Sequence, residues 1–203
     1  RDEVTHGRCS GIRRVESGAV CERWEFTYDV PGTTGYVLAA TFHRELPHIE
    51  LAARVVKTDV TDPEGLYVAF PVGIDGGVWH LDKPGAPVRP GLDQLPGACC
   101  DYYCLQDGAV LAGRGSGLAW TTLDAPLVHV GKLRLWNYAT SIEPTGPLYS
   151  WLTNNKWETN FKLTCGGRYE FRYVLEFAPG FAAPAEGVAA CRAHAMPPVV
   201  VRH

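Results

Sequence analysis

The sequence predicts an all-β chain folded as one large antiparallel β-sandwich. Two observations carry this reading. Apolar and polar residues alternate with period two along much of the chain, the spacing that a strand with one buried face imposes. Glycine or proline interrupts nearly every window long enough to hold an amphipathic helix, and the short apolar runs are bounded by Gly/Pro turns. With 203 residues, 46% of them apolar, the chain can bury a sizeable core as a single domain over 1–203.

The first clear strand is VCERWEFTYDV, from Val20. Trp24, Phe26, Tyr28 and Val30 fall on one face, and Arg23, Glu25, Thr27 and Asp29 on the other. The run PGTTG at 31–35 predicts a turn. Tyr36, Leu38, Ala40 and Phe42 continue the alternation in a second strand. Pro47-His48 breaks it, and Ile49, Leu51, Ala53 and Val55 begin a third. The run GLYVAFPV, 65–72, is apolar on both faces, as expected of a central strand covered on both sides. Residues 73–97 are rich in Gly and Pro and read as a long ordered loop. Strand signals return at 117–122, 127–130 and 132–138. A closing hairpin is expected from 160–164 through Gly166-Gly167 into Tyr169, Phe171, Tyr173, Leu175 and Phe177. Residues 178–203 read as an extended tail.

Charge and termini exclude some functions. The net charge is −3, with acidic and basic residues interspersed. Nucleic acid is not an expected partner, because phosphate binding needs clustered Lys and Arg. No apolar run approaches the roughly 20 residues that span a bilayer, so no membrane partner is expected. The N-terminus, RDEVTHGRCSGIRR, has no apolar core and is not a signal peptide. The chain has no initiator Met, and Met196 is its single Met, which reads as a piece of a longer protein. The seven cysteines, at 9, 21, 99, 100, 104, 165 and 191, are an odd number and argue against a complete disulfide framework. They read as reduced thiols, which favours a cytoplasmic location. Cys99, Cys100 and Cys104 lack a C-x-x-C pair, read as small buried hydrophobes, and are assigned no metal.

The richest stretch is WLTNNKWETNF at 151–161. Indole faces stack on apolar surfaces and on sugar rings, and asparagine amides either read hydroxyls or fix irregular backbone. In order along the chain stand GLYVAFPV, DQLPGACCDYYCLQ, GLAWTTLDAPLVHVG, LYSWLTNNKWETNF and GGRYEFRYVLEF. This series resembles the C-terminal β-sandwich region of bacterial glycoside hydrolase family 38, the α-mannosidases and their relatives, over roughly 11–177. The pair TLDAPLV and NNKWETNF is its most specific part. The resemblance implies a galactose-mutarotase-like supersandwich. It also implies that the aspartate nucleophile and the zinc belong to an N-terminal catalytic domain, so no catalytic residue and no cofactor is carried onto this segment. That catalytic domain is then the expected partner, with mannose-containing glycans as a further one.

The candidate carbohydrate or domain-interface residues are Trp151, Asn154, Asn155, Trp157, Glu158 and Asn160, then Asp101, Tyr102 and Tyr103, then Asp124. Each set has a structural reading beside the functional one. The tryptophans would anchor the core, the asparagines would bond backbone, the tyrosines would pack, and Asp124 would bond turn amides. His43, Glu45 and His48 have the residue types for acid–base work on a sugar, but a solvated strand end accounts for them better. Three functions follow, in order. The first is a noncatalytic sandwich that braces a mannosidase catalytic domain and self-associates when isolated. The second is a free-standing carbohydrate-binding module, and the third a mutarotase-type enzyme.

Overall fold

A computed structural model describes residues 3–134, 137–156 and 162–196. Among the described residues the chain is an all-β antiparallel sandwich of two unequal sheets, with one α-helix, preceded by a 3-10 turn at Pro179–Ala182, on its outside. The strands are β1 (Arg8–Ser17), β2 (Cys21–Asp29), β3 (Thr33–His43), β4 (His48–Lys57), β5 (Gly65–Phe70), β6 (Val78–Lys83) and β7 (Ala86–Val88). They continue as β8 (Tyr103–Cys104), β9 (Gly108–Ala112), β10 (Gly117–Thr122), β11 (Leu127–Val130), β12 (Leu148–Asn154) and β13 (Gly167–Ala178), before helix α1 (Pro184–Ala195). Nine strands form the large sheet in the order β1-β2-β3-β4-β13-β10-β9-β6-β7, and four form the small sheet in the order β5-β12-β11-β8.

The period-two pattern builds β2–β4 of the meander as expected. Cross-strand pairing sets Trp24 beside Ala40 and Ala40 beside Leu51, and sets Phe26 beside Leu38 and Leu38 beside Ala53. The apolar sets read from sequence therefore share the inner face. The core lies between this face and the small sheet, around Trp79, Leu81, Leu118, Trp120, Val128 and Leu148, all fully buried. Phe70 of the small sheet meets Trp120 and Tyr173 of the large one edge to face, at 5.1 and 5.0 Å. The Tyr173 hydroxyl donates to Ser150 Oγ across the buried interface at 2.9 Å. That bond satisfies a polar group which the strand alternation drives inward.

Several expected elements differ. β1 was not read as a strand, because its Arg and Glu residues carry no apolar face. It is an exposed edge strand held by ion pairs such as Arg8–Asp29 (2.9 Å) and Arg13–Glu25 (2.7 Å). Edge strands favour such charges because they deter pairing with another chain. Segment 65–72 is not a central strand. Within it, β5 pairs only with β12 among the described residues, and its second apolar face meets aromatic rings. The expected loop 73–97 contains β6 and β7. The expected strand 132–138 does not form over its described part. The chain turns at Gly131 (φ 74°), and the Arg134 guanidinium folds back to the carbonyls of Val130 and Lys132. The closing hairpin is also absent over the described residues 162–166, and β13 pairs instead with β4 and β10.

The expected extended tail gives way to a helix over its central part. Pro184 stands in the first turn, where its missing N–H costs nothing. The helix buries Gly187 and Cys191 against Val110, Ala112 and Ala119. Its contact stripe is made of small residues, so no large apolar periodicity marks it in the sequence. A Cβ on Gly187 would lie 2.7 Å from both methyl carbons of Val110. Ala is intrinsically better than Gly in a helix by about 1 kcal/mol, yet Gly187→Ala is expected to lower the urea midpoint, because the stiff Val110 side chain cannot yield. An unchanged or raised midpoint would show that α1 is held less closely than this packing implies.

Candidate functional site

Of the sequence candidates that lie on described residues, Trp151 and Tyr102 meet on the outer face of the small sheet, and the others are spread over core, loops and the large sheet. In β12, Leu148 and Ser150 face the core, so Trp151 points outward. Trp151 pairs in register with Tyr67 of β5, and His129 of β11 lies on the same side. The Tyr67 ring stacks on Trp151 at 5.7 Å with 21° between planes. Tyr102 meets Trp151 edge-on at 5.6 Å. His129 sits among them, 5.2 Å from Trp151 and 5.4 Å from Tyr67. Such offset and edge contacts add stability beyond the area they bury.

This cluster is closed around its indole. Trp151 is 3% exposed, and its Nε1 donates to the Thr153 carbonyl at 3.0 Å. It offers no face for a sugar to stack on. Tyr67 and Tyr102 are half-buried at its edge. His129 is fully buried, and its Nδ1 accepts from the Arg134 amide at 3.4 Å. Burial pulls its pKa from 6.5 to about 4, against the opposing pull of Asp101. His129 and Tyr67 went unnoticed in the sequence because a lone ring in an apolar strand carries no motif.

Asp101 does not project toward a ligand or neighbour. It is 2% exposed, and its carboxylate accepts the backbone N–H groups of Tyr138 and Ala139 at 3.0 and 3.1 Å. Tyr138 stands there with φ 50°, the left-handed region a side chain rarely adopts, and is 72% exposed. Asp101 therefore displays Tyr138, a residue the sequence reading did not single out. Tyr103 is buried, and its hydroxyl donates to Gln94 Oε1 at 2.8 Å. Asn155 spends its whole amide on backbone. Its oxygen accepts the Glu64 N–H at 2.7 Å, and its nitrogen serves the carbonyls of Val60, Asp62 and Leu163. Asn154 accepts the Lys156 N–H at 2.9 Å. Asp124 takes the backbone and guanidinium N–H groups of Arg172 at 2.8 and 2.9 Å, which holds its carboxyl below the usual range. Trp157, Glu158 and Asn160 lie outside the described residues.

Of the three neighbouring thiols, only Cys100 is the buried hydrophobe expected; Cys99 and Cys104 are exposed. Glu45 lies in the exposed turn after β3. His43 and His48 are not a solvated strand end, because both are half-buried on the outer face of the large sheet.

A second surface emerges from the unequal sheets. On the inner face of β1–β3, Ile12 pairs with Phe26, Arg14 pairs with Trp24, and Phe42 follows Ala40. None of Ile12, Trp24, Phe26 and Phe42 belongs to the core cluster. Ile12 is 62% exposed and Phe42 40%, and the Arg14 guanidinium lies over the Trp24 ring at 5.8 Å. This is an apolar overhang that no strand of the small sheet covers among the described residues.

No family model matches the chain, and no curated protein matches it in sequence. Among solved structures it is similar to an alpha-mannosidase from Enterococcus faecalis V583, with a TM-score of 0.63 and 14% identity, over 89% of this chain. The chain spans 24% of the length of that mannosidase. A heparan sulfate lyase mutant, HepC from Pedobacter heparinus, aligns with a TM-score of 0.46 at 14% identity, over 82% of this chain and 21% of the lyase. The sandwich is thus a fold found within a glycoside hydrolase, and the resemblance read in the sequence stands at that level.

The buried imidazole makes a pH prediction. Above pH 6.5 His129 is neutral whether the chain is folded or unfolded. Below it, the unfolded chain takes up a proton that the folded site refuses until about pH 4. Stability is therefore lost as pH falls from 6.5 toward 4, by at most about 1.4 kcal/mol per pH unit from this group. Urea midpoints at successive pH values should show a shallower loss for His129→Gln than for the unsubstituted chain. Parallel profiles would remove His129 from this role.

Proposed function

We propose that this chain is a noncatalytic sandwich region of a glycoside hydrolase of the family 38 α-mannosidase type, and that it braces the catalytic domain. The observation that carries the reading is the apolar overhang of Ile12, Trp24, Phe26 and Phe42 on a sheet wider than its partner. An isolated protein rarely leaves such a face in water, and a packed neighbour is its ordinary explanation. The structural likeness to a quarter of an alpha-mannosidase supports a neighbour within a larger enzyme. The closed state of the Trp151 cluster favours bracing over a free-standing carbohydrate-binding module, which needs an exposed ring platform.

In that enzyme type, hydrolysis with retention uses a carboxylate nucleophile and an acid/base partner. Asp101 and Asp124 are both committed to backbone or guanidinium N–H groups. Neither is free for that chemistry, and no hydrolytic step is assigned to this sandwich.

Two measurements test the reading. The isolated chain should self-associate in sedimentation velocity, and Trp24→Ser with Phe26→Ser should shift it toward monomer. A strict monomer at all concentrations would count against a docking face. The chain should release no aryl alcohol from an aryl α-mannoside, with or without zinc. Zinc-dependent turnover lost in no control would sink the noncatalytic assignment.

A further inference from the structure

Three histidines and two glutamates converge on the outer face of the large sheet, at the far end from the β3 start. The register that pairs Phe42 with Ile49 sets His43 of β3 beside His48 of β4, and His48 pairs directly with Glu176 of β13. Glu50 stands two residues on from His48, on the same face. Helix α1 crosses this face and delivers His194 from its last turn. The rings of His43 and His48 are 5.1 Å apart, and those of His48 and His194 4.9 Å. His194 Nε2 is 2.7 Å from Glu176 Oε2. Glu50 Oε1 lies 3.2 Å from His43 Nε2 and 3.7 Å from His48 Nε2.

We propose that this cluster binds one divalent transition-metal ion of the zinc class, with His48, Glu176 and His194 as protein ligands and His43 and Glu50 flanking them. One candidate ligand atom from each of the three ligands lies within 4.8 Å of the others. Donors around a tetrahedral zinc ion sit about 3.3 Å apart, given bonds of about 2.0 Å. Small rotamer shifts close that difference.

Two further observations favour a cation. Among the described residues, Glu50 and Glu176 have only histidines as ion-pair partners, so no Lys or Arg neutralises the two carboxylates. Among the described residues, His43 Nε2 is buried and in line for no hydrogen bond, although Glu50 is near. Imidazole nitrogens with one carboxylate suit zinc, cobalt or nickel, whereas calcium and magnesium take oxygen donors. With one ring nitrogen of His48 on the ion, the other is left for Glu50, a carboxylate that would fix the ring. The bound ion would tie the last turn of α1 to β4 and β13.

The test uses the tag-free chain, stripped with chelator, with zinc and cobalt(II) as probes. One equivalent of zinc should bind and raise the melting temperature. Cobalt(II) should give a visible spectrum of nitrogen and oxygen ligation without a near-ultraviolet thiolate band. His48→Ala and His194→Gln should each weaken zinc binding by roughly tenfold or more and abolish the thermal gain. His194 lies on the half-exposed last turn of α1, so its variant keeps the test open if His48→Ala fails to fold. His80→Ala, on β6, should bind as the unsubstituted chain does. Absence of zinc binding at millimolar metal, affinity retained in both cluster variants, or a thiolate band would each overturn the site.

Discussion

Strand β13 is the element on which the rest of the structure depends. It lies between β4 and β10, pairing with β4 from Gly167 to Glu176 and with β10 from Gly117 to Thr122. Without it the large sheet separates into the meander β1–β4 and the group β10-β9-β6-β7. The same strand sends Phe171, Tyr173 and Leu175 into the core, ties Asp124 through Arg172, and turns Glu176 outward toward the histidines. The contact is remote in sequence; Arg54 and Glu170, which bond across it at 2.7 Å, are 116 residues apart. Closing so long a loop costs entropy that only the completed core offsets. The two halves are therefore local structures, and the sandwich is a consequence of their joining.

That division explains what the sequence could reveal. Strands β2–β4 of the meander were legible because each carries its own alternation and the turns between them carry glycine or proline, as at 31–35. The sandwich class followed from many such strands. Pairings made through β13 were not legible, because nothing local in GRYEFRYVLEFA says whether its partner is the preceding segment or β4. Helix α1 was hidden for a different reason. Its contact is made by Gly187 and Cys191, and small residues pack closely without leaving an apolar stripe. The short strands β6 and β7 lie in a Gly/Pro-rich segment whose turns outweigh their few periodic positions.

Sites were legible in proportion to how far their residues are clustered in the chain. In 151–156, Trp151 and Asn155 announced themselves, and the structure decides between the readings open to them. The indole is buried and the amide is spent on four backbone groups. Asp124 reads as an aspartate that bonds its own turn's amides, but the N–H groups it takes are those of Arg172, 48 residues away. The histidine cluster was half visible. His43 and His48 are close in sequence, but Glu176 and His194 reach them only through β13 and α1, and Glu45, the acid nearest in sequence, lies in the exposed turn after β3. A constellation assembled from four elements has no spacing to read.

The features that remain for a partner or ligand lie where coverage ends. Strands sit about 4.8 Å apart, so the centres of nine strands span about 38 Å and those of four only about 14 Å. The small sheet must leave much of the large one uncovered. On the outer face α1 covers part of the difference, and the histidine row lies under its last turn. On the inner face nothing among the described residues covers Ile12, Trp24, Phe26 and Phe42. The edge beside them behaves differently, since β1 carries Arg8, Arg13, Arg14 and Glu16 in cross-strand ion pairs. Those charges oppose the addition of another strand, while the apolar face invites packing. A neighbour should therefore meet this molecule face to face across the β1–β3 overhang, and not by extending the sheet.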